Sequence, residues 1–290
     1  MFHSILVPLD GSQASERALG PAGTLAAVSG GEVHLVHVHV AASVNPIMEE
    51  GLPVIDAQLQ SQAEAHERAY LERMARQVQG QTVATCVTTR LIQGSETVAQ
   101  TIGMYARQVA TDLVVMTTHG RGGFERFWLG SVADSLVRSL VIPLLLLRPT
   151  EAVQLQTLPQ RILVPLDGST NAERVLEPAQ RLATLSKASL TLLFVEEESA
   201  STFDAQHYLQ QIAQRLSTAG LQAEVRVVPA QRSVAAVIIS QAADFDMVAM
   251  ATRGRGGAAA MFVGSVTDKV LRGCDAPMLV FGPEGGQRAV

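Results

Sequence analysis

Ile5–Ser12 reads ILVPLDGS, and Ile162–Ser169, 157 residues later, reads ILVPLDGS again. Eight identical residues at one offset mark a duplicated unit whose copies can be read against each other. Gly120-Arg-Gly-Gly123 recurs as Gly254-Arg-Gly-Gly257, and Gly130-Ser-Val132 as Gly264-Ser-Val266, both at an offset of 134. The second copy is therefore 23 residues shorter between its anchors (157 − 134).

Outward from these anchors, short β-branched apolar runs alternate with helix-period segments, the pattern of βα units on a parallel sheet. Strands are expected near Ser4–Leu9, Glu32–Val40, Val83–Leu91, Asp112–Thr117 and Leu144–Leu147, and again near Arg161–Leu166, Ser189–Val195, Ala223–Val228, Met247–Ala251 and Met278–Phe281. Ala18, Ala22, Leu25 and Ala26, aligned with Val175, Ala179, Leu182 and Ala183, share an apolar helical face that belongs to the core. This predicts an α/β fold of two tandem domains, 1–149 and 160–284, with Pro149–Gln160 as a polar linker. Most of the extra length is expected in Ala41–Asp56, read as a surface loop that could cover a ligand. A helix follows it, with Leu59, Ala63, Tyr70, Met74 and Val78 on one side.

Of the 290 residues 47% are apolar, enough for two ordinary cores. Twenty-two Lys and Arg against 27 Asp and Glu leave a net charge of −5, which gives no electrostatic reason to expect nucleic acid or an anionic membrane as partner. Cys86 and Cys274 do not correspond between copies and form no metal or disulfide pattern. With no signal-peptide pattern and no apolar run near 20 residues, a cytoplasmic, soluble protein is expected. The only lysines, Lys187 and Lys269, lie in no Gly-x4-Gly-Lys-Ser/Thr loop, so a P-loop ATPase is excluded.

Asp10 and Asp167 each close a first strand ahead of Gly-Ser and a helix. A carboxylate there either accepts hydrogen bonds from a ribose or base, or joins the serine in capping the helix; both readings stand. The fourth strand of each copy runs into the Gly-Arg-Gly-Gly loop and then a helix opening at Gly130-Ser131 or Gly264-Ser265. Glycines admit close approach of an anion, and the helix start offers free N–H groups, so this constellation points to phosphate. Ser131 with Asp134, and Ser265 with Asp268, also match a capping box, which alone would explain the serines. Arg121 and Arg255 are the corresponding side chains best placed to reach phosphate; Arg126 faces Ala260 in the second copy. Phe127 and Trp128, aligned with Met261 and Phe262, are expected to pack rather than stack on a base. His37 and His39 share a strand face, but Phe194 and Glu196 replace them and no third ligand is evident, so they are read as core or rim. Cys274, in place of Leu140, is read as core. If first and fourth strands are neighbours with connections leaving to opposite sides, the crevice at their C-terminal ends is the ligand site.

At these residues each copy resembles a universal stress protein domain, and the chain resembles a tandem member of that family. The family's nucleotide signature, Gly-x2-Gly-x9-Gly-Ser/Thr, matches Thr117-x2-Gly120-x9-Gly130-Ser131 and Ala251-x2-Gly254-x9-Gly264-Ser265, with Thr117 and Ala251 in place of the first glycine. The resemblance implies a Rossmann-like five-stranded parallel sheet of order 3-2-1-4-5 in each domain. It implies ATP as ligand, with Mg2+ carried by its phosphates. Asp10 and Asp167 would hold ribose or adenine, and Val38 and Val195 would present backbone to adenine. Gly120, Gly130, Ser131 and Val132, with Gly254, Gly264, Ser265 and Val266, would wrap the phosphates. It also implies association of chains into a homodimer. No general base is paired with a water-positioning group, so the expected function is an ATP-binding stress-response regulator and not an enzyme. The alternative is a nucleotide-free interaction scaffold, in which the apolar outer strands Leu144–Leu147 and Met278–Phe281 pair antiparallel, joining the two domains intramolecularly.

Overall fold

The computed structural model describes residues 1–40, 47–49, 52–54, 57–82, 85–94, 96–118, 129–148, 158–197, 203–230, 232–253 and 263–282. In the first half the elements are β1 (Ser4–Pro8), α1 (Gln13–Glu16), α2 (Leu19–Ser29), β2 (Glu32–His39), β3 (Ile47–Glu49), β4 (Leu52–Val54), α3 (Ala57–Gln81), β5 (Cys86–Gln93), α4 (Val98–Gln108), β6 (Leu113–Thr117), α5 (Ser131–Ser139) and β7 (Leu144–Leu147). The second half repeats the scheme with β8 (Arg161–Pro165), α6 (Thr170–Glu173), α7 (Leu176–Ser186), β9 (Ser189–Glu196), α8 (Ala205–Thr218), β10 (Ala223–Pro229), α9 (Val234–Ala242), β11 (Met247–Ala251), α10 (Ser265–Gly273) and β12 (Met278–Phe281).

Ten strands form one sheet in the order β10-β9-β8-β11-β12-β7-β6-β1-β2-β5. Within each half the strands are parallel and follow the expected order 3-2-1-4-5. The halves meet where β12 pairs antiparallel with β7, Leu279 opposite Leu145. That pairing buries the two all-apolar outer strands against each other and leaves neither as a free edge.

The central strands are buried along nearly their whole length because helices cover both faces. Alternate residues divide between two cores: Ile5, Val7, Val115 and Leu145 face α2, α3, α7 and α8, while Leu6, Val114, Met116 and Leu146 face α4, α5, α9 and α10. Both cores run unbroken from one half into the other. Cys274 is 3% exposed and belongs to the second of them.

Four expectations need correction. The third strand of the first copy begins at Cys86, not Val83, and the segment expected as a loop carries the short antiparallel pair β3–β4. The extra length is shared with the following helix, since α3 has 25 residues and α8 only 14. Tyr70, Met74 and Val78 are buried as expected, but Leu59 is 49% exposed and Ala63 is exposed too. The added N-terminal turns of α3 lie ahead of the part that packs on the sheet, where Gln93 Nε2 donates to Glu64 at 2.8 Å.

Candidate functional site

β1 and β6 lie side by side, Ile5 opposite Leu113, and their connections leave to opposite faces, α2 to one core and α5 to the other. That divergence opens a crevice at the strand ends, as it does in doubly wound sheets generally. A cavity of about 510 Å³ occupies it, and Asp10, Val38, Thr117, Gly130, Ser131 and Val132 all stand in its wall. The second half repeats it at about 290 Å³, lined by Asp167, Val195, Ala251, Gly264, Ser265 and Val266. Both volumes fall at or near the range of about 300–1,000 Å³ usual for small-molecule sites. Gly120, Arg121, Gly254 and Arg255 lie outside the described residues, as do Arg126, Phe127 and Trp128.

The carboxylates are fixed by their own turns. Ser12 N and Ser12 Oγ donate to Asp10 Oδ1 at 3.0 and 2.6 Å, and Ser12 Oγ accepts from Ser15 N at 3.2 Å to cap α1. Ser169 repeats this on Asp167 at 2.9 and 2.6 Å while capping α6. The two readings of this motif are thus compatible: the serine caps, and the aspartate is oriented at the cavity wall. Pairing of β1 with β2 stops at Pro8–Val36, where Leu9 N donates to Val36 O at 2.8 Å. Val38 therefore lies beyond the last paired residue, at the mouth of the crevice. Val195 stands in the same relation to Pro165–Leu193.

Across the crevice each helix starts without a side-chain cap. The N-cap of α5 is Gly130 and that of α10 is Gly264; neither makes a side-chain cap hydrogen bond. The capping-box reading of Ser131 and Ser265 is thereby corrected: each serine is the first helical residue, not the cap. Asp134 instead accepts from Arg138 Nε and Nη2, both at 2.8 Å, and Asp268 from Arg272 at 2.9 and 3.0 Å. The hydrogen bond to Asp134 raises the Arg138 pKa, with a further push from Asp268 in the other half. The first-turn amides of α5 and α10 are left to whatever occupies the cavity, with the positive end of the helix dipole behind them. The loop ahead of each helix is closed at its neck, Gly130 N donating to Thr118 O and Gly264 N to Thr252 O, both at 2.7 Å.

Thr117 and Ala251 exchange bulk with the helix opposite. Where the first copy has Thr117 and Ala133, the second has Ala251 and Thr267, whose hydroxyl donates to Ala251 O at 3.0 Å. All four are buried.

Several lining residues had no signal in the motifs. Glu67 of α3, Ser15 and Thr118 line the first cavity, and Glu197 and Arg253 the second. His37 and His39 are both buried, as a core or rim reading requires, and both address Glu67: His39 Nδ1 lies 2.7 Å from Oε2, and His37 Nε2 3.5 Å from Oε1. Glu67 was illegible because it lies 30 residues beyond His37 on another element; its one signal is its place a turn before Tyr70 on the same helix. Among the described residues no cluster of His, Cys, Asp and Glu is arranged to hold a metal ion, and no helix is long and apolar enough to cross a membrane.

An α/β sheet wound twice, with one uncapped helix start and one oriented carboxylate at each switch point, is a duplicated Rossmann-like architecture. The universal stress protein family model matches residues 1–148 and 159–282, and the chain belongs to that family. A universal stress protein of Mycolicibacterium smegmatis is 26% identical over 296 residues, covering 97% of each chain. One from Mycobacterium tuberculosis is 29% identical over 182 residues, 58% of this chain and 61% of that relative's length. A solved universal stress protein structure from Archaeoglobus fulgidus matches with a TM-score of 0.75 at 21% identity, covering 96% of this chain and 98% of that one.

Proposed function

We propose that each half binds one adenine nucleotide, ATP, with Mg2+ carried on the phosphates, and that the protein is a cytoplasmic stress-response regulator without dedicated catalysis that associates into a homodimer. The observation that carries the reading is the helix start built twice on glycine, uncapped, in the wall of a cavity that also holds an oriented carboxylate. Exposed first-turn amides suit phosphate, and a carboxylate suits the donors of a ribose or a base. Gly130 and Ser131, with Gly264 and Ser265, would meet the phosphates; Asp10 and Asp167 the sugar or base; Val38 and Val195 would offer backbone to adenine. Gly120, Arg121, Gly254 and Arg255 complete the same assignment.

The scaffold reading relied on the outer strands β7 and β12 as a pairing surface. Those strands do pair antiparallel inside the chain, which is compatible with either reading; what favours nucleotide is the cavity at each switch point. The test is to denature freshly purified protein and chromatograph what is released. ATP or another adenine nucleotide is expected from the native protein and not from the Gly130→Asp, Gly264→Asp double variant. Equal nucleotide from both would remove the phosphate assignment.

A further inference from the structure

The two cavities share a frame and differ at one corner in particular. His37 meets Tyr70 edge-on at 6.3 Å and 74°, and Phe194 meets Tyr208 at 6.4 Å and 75°. Aligned on those tyrosines, Glu67 corresponds to Ala205. In the first half the corner is a carboxylate hydrogen-bonded to His39 Nδ1 at 2.7 Å, with His37 Nε2 3.5 Å from its other oxygen; the two imidazoles are 4% and 6% exposed. His37 is itself fixed, its Nδ1 donating to the Leu9 carbonyl oxygen at 2.8 Å. In the second half the corner is apolar: Phe194 stacks on Phe203 at 5.4 Å and 21°, and Ala205 is 1% exposed.

An ionised carboxylate only accepts hydrogen bonds, with about two lone pairs on each oxygen. Each Glu67 oxygen faces one histidine, so acceptor capacity remains for whatever fills the cavity. Because it is pinned, Glu67 cannot turn to solvent when a ligand takes the water away. A ligand group that donates is rewarded there, and one that only accepts, or carries negative charge, is penalised. The phosphates are thereby kept from this corner and directed to α5.

We propose that Glu67 is the specificity-determining residue of the first site: it requires a neutral N–H or O–H donor on the nucleoside end of the ligand, whereas the second site has no carboxylate at that corner, its Glu197 standing instead where the first site has Val40. His37 and His39 are its positioning residues. The assignment rests on the nucleotide reading above and deepens it by making the two sites unequal. The donor is either the exocyclic amine of the base or a sugar hydroxyl. Equilibrium dialysis of the nucleotide-stripped full-length protein against ATP, inosine triphosphate, 2′-deoxy-ATP and 3′-deoxy-ATP separates them.

ATP should fill two sites. One analogue should bind at least about tenfold more weakly at one site only, and its identity names the donor. Glu67→Ala, which installs the second site's residue, should erase that difference, and Glu67→Gln, which keeps the shape but loses the charge, should shrink it. Analogues that bind both sites of the native protein as ATP does, or discrimination unchanged in both variants, would overturn the assignment of Glu67 while leaving the nucleotide reading intact. Failure of ATP to bind either site would overturn the nucleotide reading and this assignment with it.

Discussion

The carboxylate of the Asp-Gly-Ser turn is set in place before any ligand arrives, and the glycine makes that possible. Gly11 and Gly168 have φ of +81° and +84°, where an L side chain costs about 1–2 kcal/mol. Beside each turn lies a tyrosine, Tyr70 buried and Tyr208 half-buried: burial, then Glu16, pushes the Tyr70 hydroxyl well above its ordinary pKa, and burial, then Glu173, does the same to Tyr208. Burial also raises Tyr105, the third tyrosine. A raised folded pKa means that the unfolded chain ionises first. This contribution to stability is therefore complete below about pH 10 and lost as pH rises beyond it. An alkaline titration followed by phenolate absorbance should show no tyrosine ionising near pH 10 until the protein unfolds; early ionisation of one or more tyrosines in folded protein would contradict the burial. Asp10 and Asp167 were legible as matching strand-end residues, now seen in the two cavity walls, because the repeat printed them twice. Ser131 was legible as lying near a helix start, but a capping pattern cannot say whether the cap is the serine or the glycine before it. Only the backbone of Gly130 decides that.

At the scale of elements, α5 and α10 carry the argument. Gly130 has φ −59° and ψ 149°, and Gly264 −59° and 145°, conformations open to any residue. Glycine is therefore not required by the backbone there, and an aspartate would supply the missing cap and a favourable charge. Gly130→Asp and Gly264→Asp should each stabilise the ligand-free chain by about 0.5–1 kcal/mol while blocking the anion position. Thermal unfolding checks it: a higher Tm without nucleotide together with loss of binding is expected, and a lower Tm would mean the helix start is not as described. The strands were legible from their β-branched runs to within a few residues. The division of the insertion was not, because a Pro- and Gly-containing segment reads as loop whether or not it pairs, and the first turns of α3 are largely exposed, so no buried apolar face reveals their register. Glu67 lies just past those turns, one turn before Tyr70 and in place of Ala205, where no motif marks the difference between the two sites.

For the whole molecule, the order 3-2-1-4-5 and the antiparallel junction were both readable, the first from family resemblance and the second from two apolar outer strands that had to be covered. The asymmetry of that junction was not. Arg148, just past β7, donates to the Leu271 and Arg272 carbonyl oxygens at the end of α10. Its counterpart Gly282 lies against the Leu140 carbonyl at the end of α5, where an added Cβ would fall 1.8 Å from that oxygen. The C-terminal ends of α5 and α10 are thus each closed by the other half of the chain. With both cores continuous as well, denaturant unfolding should show one cooperative transition. Arg148→Ala should lower the stability by about 1.5–3 kcal/mol, since it strips a charged donor from two partly buried carbonyls. Two separate transitions in the native protein would contradict a shared core.

We propose that the uncapped helix start, built twice, receives a triphosphate in each half. Equilibrium dialysis of nucleotide-stripped protein against ATP, repeated with Gly130→Asp and Gly264→Asp singly, tests it most directly. The account predicts two ATP bound per chain, falling to one in either single variant. No ATP bound to the unaltered chain, or two still bound to a variant, would contradict it.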